Sequence, residues 1–499
     1  MPPDSSQGES PLLLSSGPVA GAGAGQGDTA VALPQLAPLG GRAVLPRLRV
    51  AFGPLAGRLA LGALIVGAFA VVLFAATGPS ALVPRSWMSF PNWESGPLHG
   101  LIGRPVDDQT AISYGFSVVI LAMLAAYGVA LASVRALSLR AIVICILAVH
   151  AILLLGPPLQ LTDLFNYLGY ARLGGLHGLN PYTNVIAHEI HDPVYLFASW
   201  HHLRSPYGSL FTALTYPLAL LSLPAAFWTV KVVVVSMSLG FLALVWYIAR
   251  LLGRDPRFAL LFVAANPIYL MYEVGGFHND FFMLVPSLAA VAFVLTHRDR
   301  AAGAAVMVAV AVKFTAGLLL PFLLIAVRPA RRRLRILEGA ALAAVPLVAL
   351  SVALFGLSLP NLQDQSTLLT DFSIPNMFGW MIGLGGGAPG LLRVADVALV
   401  VAVAYLLWRR RDWLTDAGWA TLALIVSLAW LVPWYVVWLL PLAAFSNSIR
   451  LRRATIALTV YLVVAFIPLT GDVLFDLGIN PMASPVGEAS SALQQKLSQ

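Results

Sequence analysis

Apolar residues fall in long unbroken runs along this chain, separated by short polar islands and arginine clusters. The runs lie at about 59–77, 113–133, 140–156, 226–249, 257–272, 278–296, 336–357, 389–408 and 454–469. A helix needs about 20 apolar residues to cross the hydrocarbon layer of a bilayer. Inside that layer no water can satisfy a backbone N–H or C=O, so runs of this length are predicted to be helices. Three further stretches, 206–224, 301–327 and 417–446, are apolar but less regular. Together they predict an all-α polytopic membrane protein with about 11–13 transmembrane or half-membrane helices.

The arginines orient these helices, because cytoplasmic loops carry an excess of Lys and Arg. Arg135 and Arg140, then Arg250, Arg254 and Arg257, then Arg298 and Arg300 mark the cytoplasmic side. So do Arg328, Arg331 to Arg335, Arg409 to Arg411, and Arg450, Arg452 and Arg453. The loops 78–112, 157–206, 273–280 and 358–388 then face outside. By this count 301–327 and 417–446 each begin and end in the cytoplasm, yet each holds only about 27–30 residues, too few for two spans of about 20. Each is predicted to be a pair of half-helices, turning near Lys313 and near Pro433-Trp434-Tyr435. The stretch 206–224, broken by Pro217, is its counterpart from outside. Irregular backbone at membrane depth survives only when buried in protein or lining a wet cavity, so an outward-facing cavity is expected.

Composition agrees and narrows the class. Of 499 residues 59% are hydrophobic and 10% charged, against about 25% charged in soluble domains. The net charge of +8 resides mainly in the loop arginines, which report topology rather than a nucleic-acid partner. The single cysteine, Cys145, excludes an internal disulfide. Residues 1–50, rich in Gly, Ala, Ser and Pro, are expected to be a disordered cytoplasmic tail. Arg42, Arg47, Arg49 and Arg58 would hold it in the cytoplasm, and the opening lacks the basic region of a cleaved signal peptide. Residues 51–470 are expected to form the membrane catalytic domain, with 157–206 its first long external loop and 471–499 a C-terminal tail.

The chemistry concentrates in the external loops. Asp163, Asn166, Tyr167 and Tyr170 recur at helical spacing and would share one face. A carboxylate flanked by Leu164 and Phe165 at a membrane rim is costly unless it is used or paired. Further along lie Asn180, Tyr182, His201, Arg204 and Tyr207; Arg172 and Arg204 could contact phosphate, which suits a planar guanidinium. The His188 and His191 pair has no convincingly spaced third ligand, and no metal site is expected. Glu273, His278, Asn279 and Asp280 crowd around a Gly pair and could bind sugar hydroxyls. Lys313 interrupts an apolar run, where an ammonium must find a partner or a polar cavity. Lys231 could add to it, or anchor its span at the interface. Trp434 and Tyr435, in a run from Trp430 to Trp438, read as an interfacial aromatic belt or as a wall against a sugar ring.

The order of these motifs resembles the GT-C glycosyltransferases. The carriers are Asp163, Gly178-Leu179-Asn180-Pro181-Tyr182, Ser205-Pro206-Tyr207-Gly208, Asn266-Pro267, the Gly-Gly-Phe-His-Asn-Asp run, Lys313 before Pro321, and Pro433-Trp434-Tyr435. Over about 140–450 the chain is most similar to the polyprenyl-phosphomannose-dependent α-1,6-mannosyltransferases of actinobacterial lipomannan synthesis. That resemblance implies a GT-C bundle in the cell membrane with its site facing outside. It implies a polyprenyl-phosphate sugar donor, with mannose as the sugar, and a mannan glycolipid acceptor. It puts the general base of an inverting transfer at Asp163, with no cofactor. Many relatives carry paired acids in that loop; this chain has only Asp163, which argues against metal coordination there. A secondary transporter or lipid-linked-sugar flippase is the alternative from another class, since broken helices and a mid-membrane lysine also suit transporters.

Overall fold

The computed structural model describes residues 52–78, 80, 82–83, 90–101, 108–360, 368–384 and 387–498, all within the unit Pro46–Gln499. The tail expected over 1–50, and parts of the loops expected at 78–112 and 358–388, lie outside the described residues. Every regular element among the described residues is helical. The first half holds α1 (Pro54–Ala75), the short α2 (Asn92–Ser95), α3 (Gln109–Ala132), α4 (Leu139–Leu155), α5 (Leu164–Gly175), α6 (Ser209–Thr215), α7 (Leu223–Leu251) and α8 (Pro256–Ala264). There follow α9 (Asp280–Leu295), α10 (Asp299–Val312), α11 (Leu319–Ala326), α12 (Ala330–Phe355), α13 (Ile374–Met381) and α14 (Pro389–Arg409). The chain closes with α15 (Trp413–Ser427), α16 (Val436–Phe445), α17 (Ile449–Phe466), α18 (Pro468–Asp476) and α19 (Pro485–Ser498).

The protein is a polytopic all-α membrane protein. Five described helices, α1, α3, α7, α12 and α14, are long and apolar enough to cross a bilayer, or six with the α17–α18 pair, which bends by 62°. The higher expected number is approached only by adding the shorter apolar helices, which run from 10 to 17 residues. On α14, Val394, Val397, Val400, Val401 and Trp408 are all exposed. Such an apolar face suits lipid, not water.

Two of the breaks fall where the sequence predicts. Lys313 is extended at φ −151°, ψ 115° and separates α10 from a 3₁₀ turn, Phe314–Leu318, that leads into α11. α15 stops at Ser427, and the chain restarts at Pro433–Tyr435 before α16. The run at 257–272, expected as one span, is also broken, because Pro267 has no N–H to continue a helix. Asn266 bridges the gap: its Oδ1 accepts the N–H of Ile268 at 3.0 Å while its Nδ2 donates to Thr459. Beyond the break, Tyr269–Val274 winds as a π-helical turn, a form that often marks functional positions.

α10 and α12 meet almost backbone to backbone. A Cβ on Gly303 would lie 1.8 Å from the Ile336 carbonyl, and one on Gly339 would lie 1.9 Å from that of Arg300. Glycine is therefore required at both positions, as at other close crossings in membranes. The crossing is pinned by Arg332 against buried Asp299 at 2.7 Å.

The segment 471–499, expected as a tail, instead contains the end of α18 and the whole of α19. α19 docks through Leu497, buried beside Leu203 and Leu368. The Leu497 carbonyl accepts the N–H of His202 at 2.9 Å.

Candidate active site

Two loops form the floor of the site. The first, 156–163, carries α4 into α5; the second, 275–279, carries the π-helical turn into α9. Three contacts stitch them together. The N–H of Leu159 donates to the Gly275 carbonyl at 2.9 Å, and the Thr162 hydroxyl donates to the Gly276 carbonyl at 2.6 Å. The Tyr167 hydroxyl on α5 accepts the N–H of Asn279 at 3.1 Å. Gly275 is needed for this approach, since a Cβ there would come 2.8 Å from Leu159 Cδ1, and within their own turn a Cβ on Gly275 or Gly276 would crowd the Met271 or Tyr272 carbonyl. Phe277 follows with φ +54°, a left-handed turn that aims His278 back across Gly276.

Asp163 occupies the N-cap position of α5, yet its side chain makes no capping bond. Thr162 takes that duty, its Oγ1 accepting the N–H of Leu164 at 3.1 Å. The carboxylate is thereby left to face a cavity of about 700 Å³. Six aromatic residues stand in the cavity walls, with Trp200, Tyr207, Trp430 and Trp434 among them. Burial pushes the Asp163 carboxyl up to about 6, a rise opposed by hydrogen bonds from Tyr207 and Trp200 and by the charge of Lys313. Its Oδ2 lies 3.9 Å from Nδ1 of His278, too far for a direct hydrogen bond. One hydroxyl oxygen about 2.8 Å from each could bridge them. The His278 ring is held flat on Trp434, with centroids 3.7 Å apart.

Behind this pair lies a buried charge cluster. Lys313 donates to Asp280 Oδ1 at 2.8 Å, and the Trp438 indole donates to the same oxygen at 2.5 Å. The ammonium also sits over the rings of Tyr435 and Trp438, at 5.4 and 5.2 Å. Glu273, fully buried in the π-helical turn, has no hydrogen-bond partner for either carboxylate oxygen among the described residues. The same holds for both His278 ring nitrogens, Asn279 Nδ2 and Asp280 Oδ2. Buried polar atoms are almost always paired, so this concentration makes the cluster the candidate site for a polar ligand. Asp163 and Lys313 fall within electrostatic reach of each other. One cluster therefore holds a carboxylate facing the cavity and a cation behind it.

The structure brings together Asp163, Tyr167, Tyr207, Glu273, His278, Asn279, Asp280, Lys313, Trp434 and Tyr435. Of the other expected site residues, His201 also lines the cavity and the rest go elsewhere. Arg172 is paired with Asp192 at 2.8 Å, and His177 joins the same carboxylate. Burial opposes ionisation there, but these donors prevail and hold the Asp192 carboxyl below its usual range. Arg172 does not line the cavity; it is committed to folding the loop 157–206. Asn180 and Tyr182 are committed likewise. Asn180 donates to the Phe355 carbonyl, while the Tyr182 hydroxyl contacts the Tyr207 carbonyl and Thr212. His201 lines the cavity, with Nε2 2.7 Å from the Tyr195 carbonyl and its ring stacked on Tyr195. Arg204 is half-buried and outside the lining. Lys231 does not join Lys313: it donates to the Gly156 carbonyl at 2.5 Å and lies 4.1 Å from the Trp228 ring.

Four contributors escape a reading of the sequence. Trp200 and Gln494 line the cavity, Thr162 frees Asp163 from capping, and Trp438 holds Asp280. Trp438 carries a visible signal, since it follows Trp434 by one helical turn. Gln494 carries none, because nothing local links the C-terminus to this loop.

Residues 61–329 match the family model described as "Alpha-(1->6)-mannopyranosyltransferase, N-terminal domain", and residues 372–487 match "MptB C-terminal domain". The chain is similar to alpha-(1->6)-mannopyranosyltransferase A of Mycobacterium tuberculosis, with 30% identity over 366 residues, 63% of this chain and 67% of the relative. It is 28% identical to the protein of the same name from Corynebacterium glutamicum over 177 residues, 34% of this chain and 35% of the relative. Alpha-(1->6)-mannopyranosyltransferase B of C. glutamicum is 23% identical over 356 residues, 61% of this chain and 59% of the relative. No solved structure matches the chain.

Proposed function

The chain belongs to the alpha-(1->6)-mannopyranosyltransferase family, and we propose that it moves mannose from a polyprenyl-phosphate donor to an α-1,6-mannan glycolipid, with inversion and without a metal. Membership of a mannosyltransferase family removes the ground for the transporter or flippase alternative.

In this reaction an acceptor hydroxyl oxygen attacks the anomeric carbon from the face opposite the phosphate. The new C–O bond forms as the old one breaks, and its electron pair leaves on the phosphate oxygen. The hydroxyl proton passes to Asp163, whose carboxyl sits near neutrality as an efficient general base requires. Attack opposite the leaving group turns a β-linked donor into an α-glycoside. Lys313 offsets the charge that grows on the phosphate. While it waits, Asp280 holds it and the Tyr435 and Trp438 rings flank it. A small apolar cavity of about 70 Å³ is lined by Trp438, Thr315, Leu284, Leu288, Leu319 and Leu424, and we place the start of the polyprenol tail against this apolar surface. The aromatic walls of the larger cavity suit the C–H faces of acceptor sugars. The arginine clusters support a cell-membrane protein whose site faces outside.

The observation that carries this reading is Asp163, released from its capping role, facing a sugar-sized cavity within reach of a half-buried lysine. Purified protein in lipid should transfer labelled mannose from polyprenyl-phosphomannose to a short α-1,6-mannoside, and NMR should show an α product. Transfer from a nucleotide sugar instead, or a product with retained configuration, would overturn it.

A further inference from the structure

α19 contributes two polar side chains, Gln494 and Ser498, to the cavity that holds Asp163. The helix is fixed there by specific bonds. The Gln494 amide donates to the Leu369 carbonyl at 2.9 Å. Buried Ser490 accepts the N–H of Leu369 at 2.8 Å. The Leu497 carbonyl takes the N–H of His202, the neighbour of cavity residue His201. One end of α19 is thus tied to the external loop and its middle to the segment before α13. The matched family segment stops at residue 487, so most of α19 lies beyond it.

We propose that α19 is one wall of the acceptor subsite and selects acceptor glycans by their size. This rests on the mannosyl-transfer reading of the same cavity. The other walls include six aromatic residues, Tyr170, Tyr195, Trp200, Tyr207, Trp430 and Trp434, which offer stacking surfaces that tolerate many sugars. α19 adds an amide and a hydroxyl, which discriminate by hydrogen bonding, and it closes a side through which a longer glycan would otherwise extend. Because two bonds to Leu369 hold Gln494 and Ser490 in place, the wall is set before the acceptor arrives.

The test compares kcat/KM for a short and a long α-1,6-mannoside, with the same polyprenyl-phosphomannose, in three proteins. These are the wild type and the full-length Gln494→Trp and Gln494→Ala variants. Added bulk at residue 494 should cut kcat/KM for the long acceptor about tenfold more than for the short one, the scale of a modest steric mismatch. Removal of bulk at the same position should move the long-to-short ratio the opposite way. A ratio within twofold of wild type in both variants overturns the proposal. A second measurement does not need turnover. The sole native cysteine, Cys145, is buried, so a Gln494→Cys protein should react with a water-soluble thiol reagent at the substituted position alone. Saturating mannoside should slow that reaction severalfold; an unchanged rate overturns the proposal. If the wild type transfers no mannose while mannoside still protects the thiol of Gln494→Cys, the transfer reading fails and the wall stands as a glycan-binding surface.

Discussion

Replacing Asp163 by asparagine keeps the shape of the side chain and removes its ability to accept a proton. Burial raises this carboxyl from 3.8 to about 6, and each tenfold change in an ionisation constant corresponds to about 1.4 kcal/mol. The folded protein therefore holds the ionised form at a cost of about 3 kcal/mol relative to the unfolded chain. The sign is that of a raised acid: stability is fully present below about pH 4 and is lost as pH rises through about 6. Asp163→Asn should accordingly melt at the same temperature as wild type in acid and several degrees higher at pH 8. Catalysis should go the other way. A positioned general base supplies about 10²–10⁴ in rate, so kcat/KM at pH 8 should fall by that factor, about 3–5 kcal/mol of barrier. In the wild type, log kcat/KM should climb with unit slope below about pH 6 and level off above it. Asp163→Asn should lack that limb. The assay is mannose transfer in lipid nanodiscs from about pH 5 to about pH 9, paired with thermal melts of the same samples. A variant that retains more than about a tenth of wild-type kcat/KM, or a wild-type profile flat through pH 6, would refute the assignment.

Lys313→Met should lower kcat by about 10²–10³, the loss typical of one charge-stabilising contact. It should also destabilise the fold by about 3–5 kcal/mol, since Asp280 is left buried without its counter-charge. Adding Asp280→Asn should restore much of the melting temperature and none of the activity; recovered activity would show that the lysine acts only on Asp280. Arg172→Met should lower stability through loss of the Asp192 pair while leaving the KM for donor within twofold. A tenfold rise in that KM would return Arg172 to the phosphate site. Gly303→Leu should prevent α10 and α12 from meeting, because even a Cβ there falls 1.8 Å from a carbonyl oxygen. Size-exclusion chromatography of the solubilised variant should show aggregate, and a monodisperse protein with wild-type melting would contradict the crossing.

Individual residues show where a reading of the sequence succeeds and where it stops. Lys313 is legible because an ammonium in an apolar run has few explanations, and the backbone does break there. Asp163 is legible for the same reason. Asp280 stands out as part of a polar run, but its partners Lys313 and Trp438 are 33 and 158 residues away. Arg172 misleads because its residue type suggests phosphate, while its real partner, Asp192, is an ordinary loop acid 20 residues on. Asn180 and Tyr182 look like ligands, yet their polar atoms satisfy backbone and hydroxyl groups in the fold. Polar residue types announce a need for hydrogen bonds, and only three-dimensional neighbours say who meets it.

The amino-acid order alone determined the class of the molecule, because the solvent dictates it. Long apolar runs must become helices in lipid, and the apolar runs are interrupted at Pro267, Lys313 and Pro433, although Pro286 and Pro346 are carried inside helices. Those are local requirements, met by each segment on its own. The pairing of Asp280 with Lys313, the stacking of His278 on Trp434, the release of Asp163 from its cap and the arrival of α19 at the cavity were decided only by tertiary structure. Each depends on distant segments docking at ångström precision, and packing of that kind leaves no periodic trace in the chain.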